Sequence, residues 1–229
     1  MDAIILAAGL GTRLRPHTLT KPKPLLPVRG RPILDWTLAA LPKTVERVIV
    51  VTHHLREQVD DYLKQQQRFR DWVTVFQATP RGTGDAFMAC RDAVKSDQVF
   101  VLNGDDLYAG RDLDALSRKR QGLLVHPVDE PKRFGITFLR ADGTLERLME
   151  KPDLTGRQMA NIGAYLFPRS ALDLTLPLSP RGEYEITDAV SQLAERGPFH
   201  AVEATTWLPI GNEEQWRNAE TLDLDQLLK

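Results

Sequence analysis

Ala3-Ile4-Ile5-Leu6-Ala7-Ala8 runs directly into Gly9-Leu10-Gly11-Thr12-Arg13-Leu14-Arg15. The first stretch is short, unbroken and apolar, with no polar alternation. It reads as a strand buried on both faces, as in a parallel sheet. From Gly9 to Arg31 the chain has neither a helical nor a strand period. Loops of that length inside a domain are functional or disordered. Pro16, Pro22, Pro24 and Pro27 stiffen this one, and Leu25, Leu26 and Val28 offer apolar anchors, so it reads as an ordered, functional loop.

Its charge is one-sided. Arg13, Arg15, Lys21, Lys23, Arg29 and Arg31 are basic, and no acid occurs between Asp2 and Asp35. A nearly neutral chain that gathers cations on a glycine-bearing loop after its first strand is built to hold phosphate there. Gly9 and Gly11 let the backbone approach a phosphate closely, and Thr12 adds a hydroxyl donor. The loop is not a dinucleotide fingerprint, because Leu14 stands three places after Gly11. It is not a Walker loop, because no Gly-Lys-Ser/Thr comes after it.

Outward from this loop, helical spacing over Pro32–Leu41 predicts a helix with Pro32 at its start. Arg47–Thr52 and Val73–Gln77 read as strands, Leu55–Gln67 and Gly84–Val94 as helices, and Val99–Leu102 as a fourth strand. Alternating strands and helices predict an α/β, doubly wound, mainly parallel but mixed sheet with helices on both faces. In such sheets ligands bind at the carboxyl ends of the strands. The segments 9–31, 79–84 and 103–106 each come after a strand and are expected to converge. Further on, Gly135–Leu139 and Thr144–Met149 flank an Asp142-Gly143 turn and read as a hairpin. Ile162–Phe167 and His200–Thr205 read as strands, Tyr184–Glu195 and Asn212–Leu228 as helices. One domain over 1–229 is expected, its second half forming the far wall of the cleft.

The 229 residues are 42% apolar and 27% charged, which suits an ordinary globular chain with a real core. A net charge of −1 argues against nucleic acid as a partner. No apolar run is long enough to span a bilayer, and Met1–Leu6 lacks the basic start of a signal peptide, so no membrane partner and a cytoplasmic setting are expected. Nothing in the sequence sets an oligomeric state. The one cysteine, Cys90, excludes an internal disulfide and reads as a buried thiol on a helix. His53-His54 reads as plain loop, and Trp36, Trp72, Trp207 and Trp216 as core.

Leu6-Ala-Ala-Gly-Leu-Gly-Thr-Arg-Leu-Arg-Pro-His-Thr, and after it Lys21-Pro-Lys-Pro-Leu-Leu-Pro-Val28, closely resembles the opening of the sugar-phosphate nucleotidyltransferases. These include glucose-1-phosphate thymidylyltransferases and uridylyltransferases. The resemblance continues along nearly the whole chain and implies their doubly wound α/β fold, with a nucleotide-binding half at 1–110 and a sugar-phosphate-binding half at 111–229. The extra β-helix or acyltransferase portion of some members is not expected in these 229 residues. It also implies a reaction in which a nucleoside triphosphate and a sugar 1-phosphate give a nucleotide sugar and pyrophosphate. Leu6, Ala8, Gly9, Gly11, Thr12 and Arg13 match the nucleotide-binding loop. Arg13 matches the arginine on the triphosphate, and Lys23 the lysine on the α-phosphate. Arg15 and Lys21 read equally as phosphate ligands or solvated charges. Gln77, Gly82 and Thr83 match the loop that reads a pyrimidine, so UTP or dTTP is favoured without a choice between them.

Asp105, in Asn103-Gly-Asp-Asp106, matches the Mg2+ ligand and completes the catalytic set of Arg13, Lys23 and Asp105. Asp106 reads as the cap of a helix just after it. On the sugar side, Phe134-Gly135-Ile136, Glu150-Lys151-Pro152 and Asn161-Ile-Gly-Ala-Tyr165 resemble family segments. They assign Gly135, Glu150, Lys151, Asn161 and Tyr165 to the sugar phosphate. Arg181-Gly-Glu-Tyr-Glu-Ile-Thr-Asp188 also fits and is expected to be mainly structural. One departure stands out. Trp207-Leu-Pro209-Ile-Gly-Asn212 matches a Trp-x-Asp-x-Gly-Thr segment whose aspartate is the second metal ligand, and here that position is Pro209. Asn212 or Glu213 could substitute, or phosphates and waters could complete the shell. The third alternative is a catalytically silent protein that binds nucleotide sugars and regulates.

Overall fold

The computed structural model describes residues 1–229. In chain order the elements are β1 (Asp2–Leu6), β2 (Pro27–Val28), β3 (Arg31–Pro32), α1 (Ile33–Ala40), β4 (Arg47–Thr52), α2 (Arg56–Gln65), β5 (Asp71–Phe76), α3 (Thr83–Met88), β6 (Gln98–Asn103) and β7 (Asp106–Tyr108). The second half contains α4 (Gly110–Ser117), β8 (Gly122–Val128), β9 (Gly135–Leu139), β10 (Leu145–Glu150), β11 (Gln158–Pro168), α5 (Ile186–Arg196), β12 (His200–Glu203), β13 (Trp207–Pro209), α6 (Glu213–Thr221) and α7 (Leu224–Leu227).

Nine strands form one sheet along the path β10-β9-β11-β6-β1-β4-β5, with β8 also on β11 and β12 on β8. The pairs β1–β4, β4–β5 and β1–β6 are parallel, whereas β6–β11 is antiparallel. The doubly wound, mixed α/β expectation therefore holds. The chain first winds from β1 outward through β4 to β5, then returns to place β6 on the other side of β1. The point where winding reverses lies between β1 and β6, where the ends of neighbouring connections part and leave a crevice. Leu6 and Asn103 are register partners at that point. Because β11 joins β6, the two halves of the chain share a single sheet.

The apolar runs explain the layering. Ile4, Ile49, Val51, Val99 and Val101 point into one core with Phe87 of α3 and Val190 of α5. Ala3, Ile5, Val48, Val50, Phe100 and Leu102 point into the other, under α1, α2 and α4. Alternate residues of each central strand are thus buried on opposite faces, as unbroken apolar strands require. A third cluster brings Leu14, Leu26 and Val28 against Trp36, Leu107 and Ile210, which anchors the long loop.

Several expectations are corrected. The Gly84–Val94 helix ends at Met88, so Cys90 lies in the turn beyond it, still fully buried, with burial pushing its thiol up to about 12. The terminal helix is broken at Leu222, where Asp223 accepts a bond from Gln226 N and starts a new turn. Asp106 caps no helix; it opens β7, and Ala109 precedes α4. Of the tryptophans, Trp36 is core, while Trp72, Trp207 and Trp216 are half-buried. The elements β7, α4, β8 and β13 had no clear signal. In β8, Pro127 argues against a strand, and it is accommodated beyond Val125, where pairing with β12 stops. No helix is long and apolar enough to cross a membrane.

Candidate active site

The loop after β1, the turn after β5 and the turn after β6 meet in a cleft of about 570 Å³. Leu6, Ala8, Gly9, Thr12, Arg13 and Lys23 line its phosphate-loop side. Gln77, Gly82 and Thr83 line the opposite wall, and Asp105 the floor between them. Gly11 does not line the cleft. It shapes the loop: at φ +60, a Cβ there would lie 2.8 Å from Thr18 Cγ2, and its carbonyl accepts from Thr18 Oγ1 at 2.9 Å.

The loop's cations divide into two sets. Arg31 is paired with Asp35 at 2.7 Å, and Arg29 donates to the Glu220 carbonyl at 3.2 Å, both away from the cleft. Arg13, Arg15 and Lys21 form no ion pair. Lys23 is 7% exposed and meets Asp105 Oδ2 at 2.5 Å. This bond ties the phosphate loop to the end of β6. Arg13 lines the main cleft and also a smaller one of about 190 Å³, shared with Asp105, Asp106, Asn161, Trp207 and Pro209.

Asp106 is more than the sequence suggested. It is 7% exposed, and its Oδ2 accepts from Asn103 Nδ2 at 3.2 Å and Tyr108 Oη at 3.3 Å. Burial, and after it the neighbouring Asp105 charge, pushes its carboxyl up to about 7. Pro209 pairs with Asp106 across the β7–β13 ribbon, and the next residue, Ile210, donates its N–H to the Asp105 carbonyl at 3.0 Å. The ribbon thus brings the Pro209 position beside the two aspartates. Asn212 caps α6, its Oδ1 accepting from Gln215 N at 2.9 Å.

The residues expected on the sugar side lie on or next to β9, β10 and β11. Gly135 is opposite Glu150 in the β9–β10 ladder, and a Cβ on it would come within 3.1 Å of Glu150 Oε2. Burial raises the Glu150 carboxyl above its ordinary range, with Lys151 and Arg181 pulling the other way. Lys151 holds a left-handed backbone at φ 44, rare for a side chain of that size. Asn161 reaches the smaller cleft. Tyr165 does not face a cleft: it is 2% exposed, stacks on Phe167 and accepts from Asn161 Nδ2 at 2.8 Å. It supports Asn161 from the core.

The segment 181–185 was expected to be mainly structural, yet it joins the site. Tyr184 N donates to Arg81 O at 2.8 Å and Gly84 N to Tyr184 O at 2.7 Å, clamping it to the turn after β5. Glu183 and Glu185 consequently line the main cleft. Arg181 bonds Glu185 at 2.7 Å and reaches Glu150 at 3.4 Å, bridging the two regions. Two acids, Glu183 and Glu185, close to Arg181 were the available signal. Asp85, whose Oδ2 lies 2.7 Å from Gln77 Nε2, is a further residue the sequence did not single out.

A crevice at the winding reversal, lined by a cationic glycine loop and a strand-end carboxylate, suits a polyphosphate and a hard cation. A family model described as Nucleotidyl transferase matches residues 2–226. The chain belongs to the nucleotidyl transferase family. The resemblance carried by Leu6–Val28 is thereby shown to be real. This nucleotidyl transferase is 34% identical over 218 residues to the Bifunctional protein GlmU of Methanococcus maripaludis, covering 93% of this chain and 52% of GlmU. It thus spans about half the length of that relative. It is 31% identical over 233 residues to the UTP--glucose-1-phosphate uridylyltransferase AglF of Haloferax volcanii, covering 96% of this chain and 95% of AglF. Among solved structures, a Bacillus anthracis protein described as a glucose-1-phosphate thymidylyltransferase superposes with a TM-score of 0.86 at 27% identity, over 98% of this chain and 96% of that one. A UDP-glucose pyrophosphorylase complexed with UDP-glucose shares the fold at TM-score 0.82 and 20% identity, over 98% of each chain.

Proposed function

We propose that this nucleotidyl transferase condenses a nucleoside triphosphate, UTP or dTTP favoured, with a sugar 1-phosphate to give a nucleotide sugar and pyrophosphate. The observation that carries the reading is the convergence of Arg13, Lys23, Gln77 and Asp105 on one cleft. In the reaction a phosphate oxygen of the sugar attacks the α-phosphorus, and the bond to the β-phosphate breaks. Two polyanions must approach, so orientation and charge neutralisation do most of the catalysis. Arg13 serves the triphosphate, Lys23 the α-phosphate, and Lys151 with Arg181 the sugar phosphate. Glu150 and Asn161 serve sugar hydroxyls, with Gly135 giving them room.

The donor set suits magnesium. Asp105 offers a carboxylate that is 39% exposed on the cleft floor, and magnesium takes few protein ligands because it keeps waters and phosphate oxygens. Asn212 is engaged in capping α6, so phosphates and waters are the better substitute for the aspartate replaced by Pro209. When bound, the ion would neutralise charge on the transferring phosphates. Asp105 would hold it, and Lys23, released from Asp105, would turn to the α-phosphate.

The test is pyrophosphate release from four nucleoside triphosphates crossed with glucose, N-acetylglucosamine and mannose 1-phosphates, with and without magnesium. Release confined to UTP or dTTP, dependent on magnesium and abolished by Asp105→Ala, is the expected result. Silence across the grid with UTP or dTTP still binding would instead favour the regulatory alternative that Pro209 raised.

A further inference from the structure

The base-reading end of the main cleft carries a chain of polar contacts that the transfer itself does not use. Gln77 Nε2 lies 2.7 Å from Asp85 Oδ2 and 3.4 Å from the Gly82 carbonyl. The other Asp85 oxygen takes a 2.7 Å bond from Arg81, whose guanidinium lies over the Tyr184 ring at 5.5 Å. A carboxylate and a carbonyl can only accept. Both partners therefore call for the amide's NH2 group, and a reversed amide would set its oxygen against theirs. The rest of Gln77 is pinned as well. It is 5% exposed, its N–H donates to Thr52 O at 2.9 Å, and its carbonyl accepts from His53 Nδ1 at 2.8 Å. One group is left over: Oε1 has no partner within the protein and is not sealed from the cleft its residue lines.

From this we infer that Asp85 is a positioning residue for the nucleobase. It locks Gln77 as a hydrogen-bond acceptor, so the cleft takes a base with a ring N–H on its Watson–Crick edge, the imide of uracil or thymine. Cytosine is refused, because its N3 is a bare lone pair that would face Oε1. The inference rests on reading this cleft as a nucleotide site. Cytosine can satisfy Oε1 only by sliding until its 4-amino group takes the place of the imide N–H. The phosphate loop holds the other end of the nucleotide and opposes that slide. An asparagine at position 85 removes the lock, since an amide can present either oxygen or NH2. Gln77 is then free to turn toward whichever base arrives.

The test is calorimetric titration of the full chain with UTP and with CTP, for the wild type, D85N and D85E. Binding alone is read, so turnover is not needed. The wild type is expected to prefer UTP by at least about tenfold, and D85N to lose about tenfold of that preference, mainly by gaining CTP affinity. D85E, whose side chain is still acceptor-only, is expected to keep the preference. D85N retaining the wild-type ratio, or a wild type that binds both equally, overturns the inference. Should D85N fail to fold, 3-methyl-UTP, which lacks the imide N–H, decides on the wild type: weak binding supports the lock, and binding equal to UTP overturns it. Absence of any nucleotide binding sinks the nucleotide-site reading and the inference with it. A clear UTP preference without pyrophosphate release sinks only the transfer reaction.

Discussion

At the scale of single residues, Lys23 and Asp105 tie the phosphate loop to the end of β6. Their 2.5 Å pair joins the carboxylate proposed to hold the cation to the lysine proposed to meet the α-phosphate. Lys23→Met is therefore expected to move two quantities in opposite directions. Pyrophosphate release falls by ~10²–10³-fold, the scale seen when one charge stabiliser is removed from a transition state. Mn2+ binding to the nucleotide-free protein, monitored by electron paramagnetic resonance, tightens because Asp105 loses its competitor. Release unchanged, or Mn2+ affinity reduced, would count against both assigned roles. Lys23 and Asp105 were legible in the sequence because each sits in a motif. Their contact was not, because the pairing of a loop with a strand end far along the chain is a product of sheet order. Asp85 was missed for a related reason: its place on α3 suggests only a helix start, and its use depends on Gln77 arriving from β5.

At the scale of elements, the strands with continuous apolar runs declared themselves, and the ones that failed to do so are short or broken by proline. The ribbon of β7 and β13 pairs only three residues on each side, too few for a period to emerge, yet it sets Pro209 beside Asp106. Helix α4 was likewise unannounced, since Leu113 and Leu116 are its only buried apolar residues. It is fixed instead by a carboxylate. Asp112, 4% exposed, accepts from Thr205 N at 2.8 Å, Thr206 N at 3.2 Å and Thr205 Oγ1 at 3.0 Å. This staple sets the path of the chain from β12 into β13. Asp112→Ala leaves the Thr205 and Thr206 N–H groups without acceptors and is expected to cost about 2 kcal/mol. For a chain of this length that lowers the melting temperature by roughly 4–8 °C. A calorimetric melting point unchanged from the wild type would show that the staple is dispensable.

At the scale of the whole molecule, the prediction of a doubly wound sheet succeeded because β1, β4 and β6 are buried on both faces and alternate with helices along the chain, with β5 at the half-buried edge. The division into a nucleotide half and a sugar half describes which ligands each half is proposed to meet. Its energetic counterpart is different, since β11 of the second half pairs with β6 of the first. Burial on both faces of one continuous sheet couples the halves, so unfolding is expected to be a single transition. Urea titration monitored by tryptophan fluorescence, which reports Trp36 and Trp72 from one half and Trp207 and Trp216 from the other, should coincide with far-ultraviolet circular dichroism. Two separated transitions would mean that the halves fold as independent units.

Lys151 gives this architecture a measurable tension. Its backbone lies at φ 44, a region where glycine is at ease and lysine is not, with a penalty of order 1 kcal/mol. Lys151→Gly should therefore melt higher than the wild type while binding a sugar 1-phosphate more weakly. The gap between those two effects would measure how much stability the fold gives up for the proposed sugar-phosphate contact, and would mark where a more durable version of the protein becomes a weaker binder.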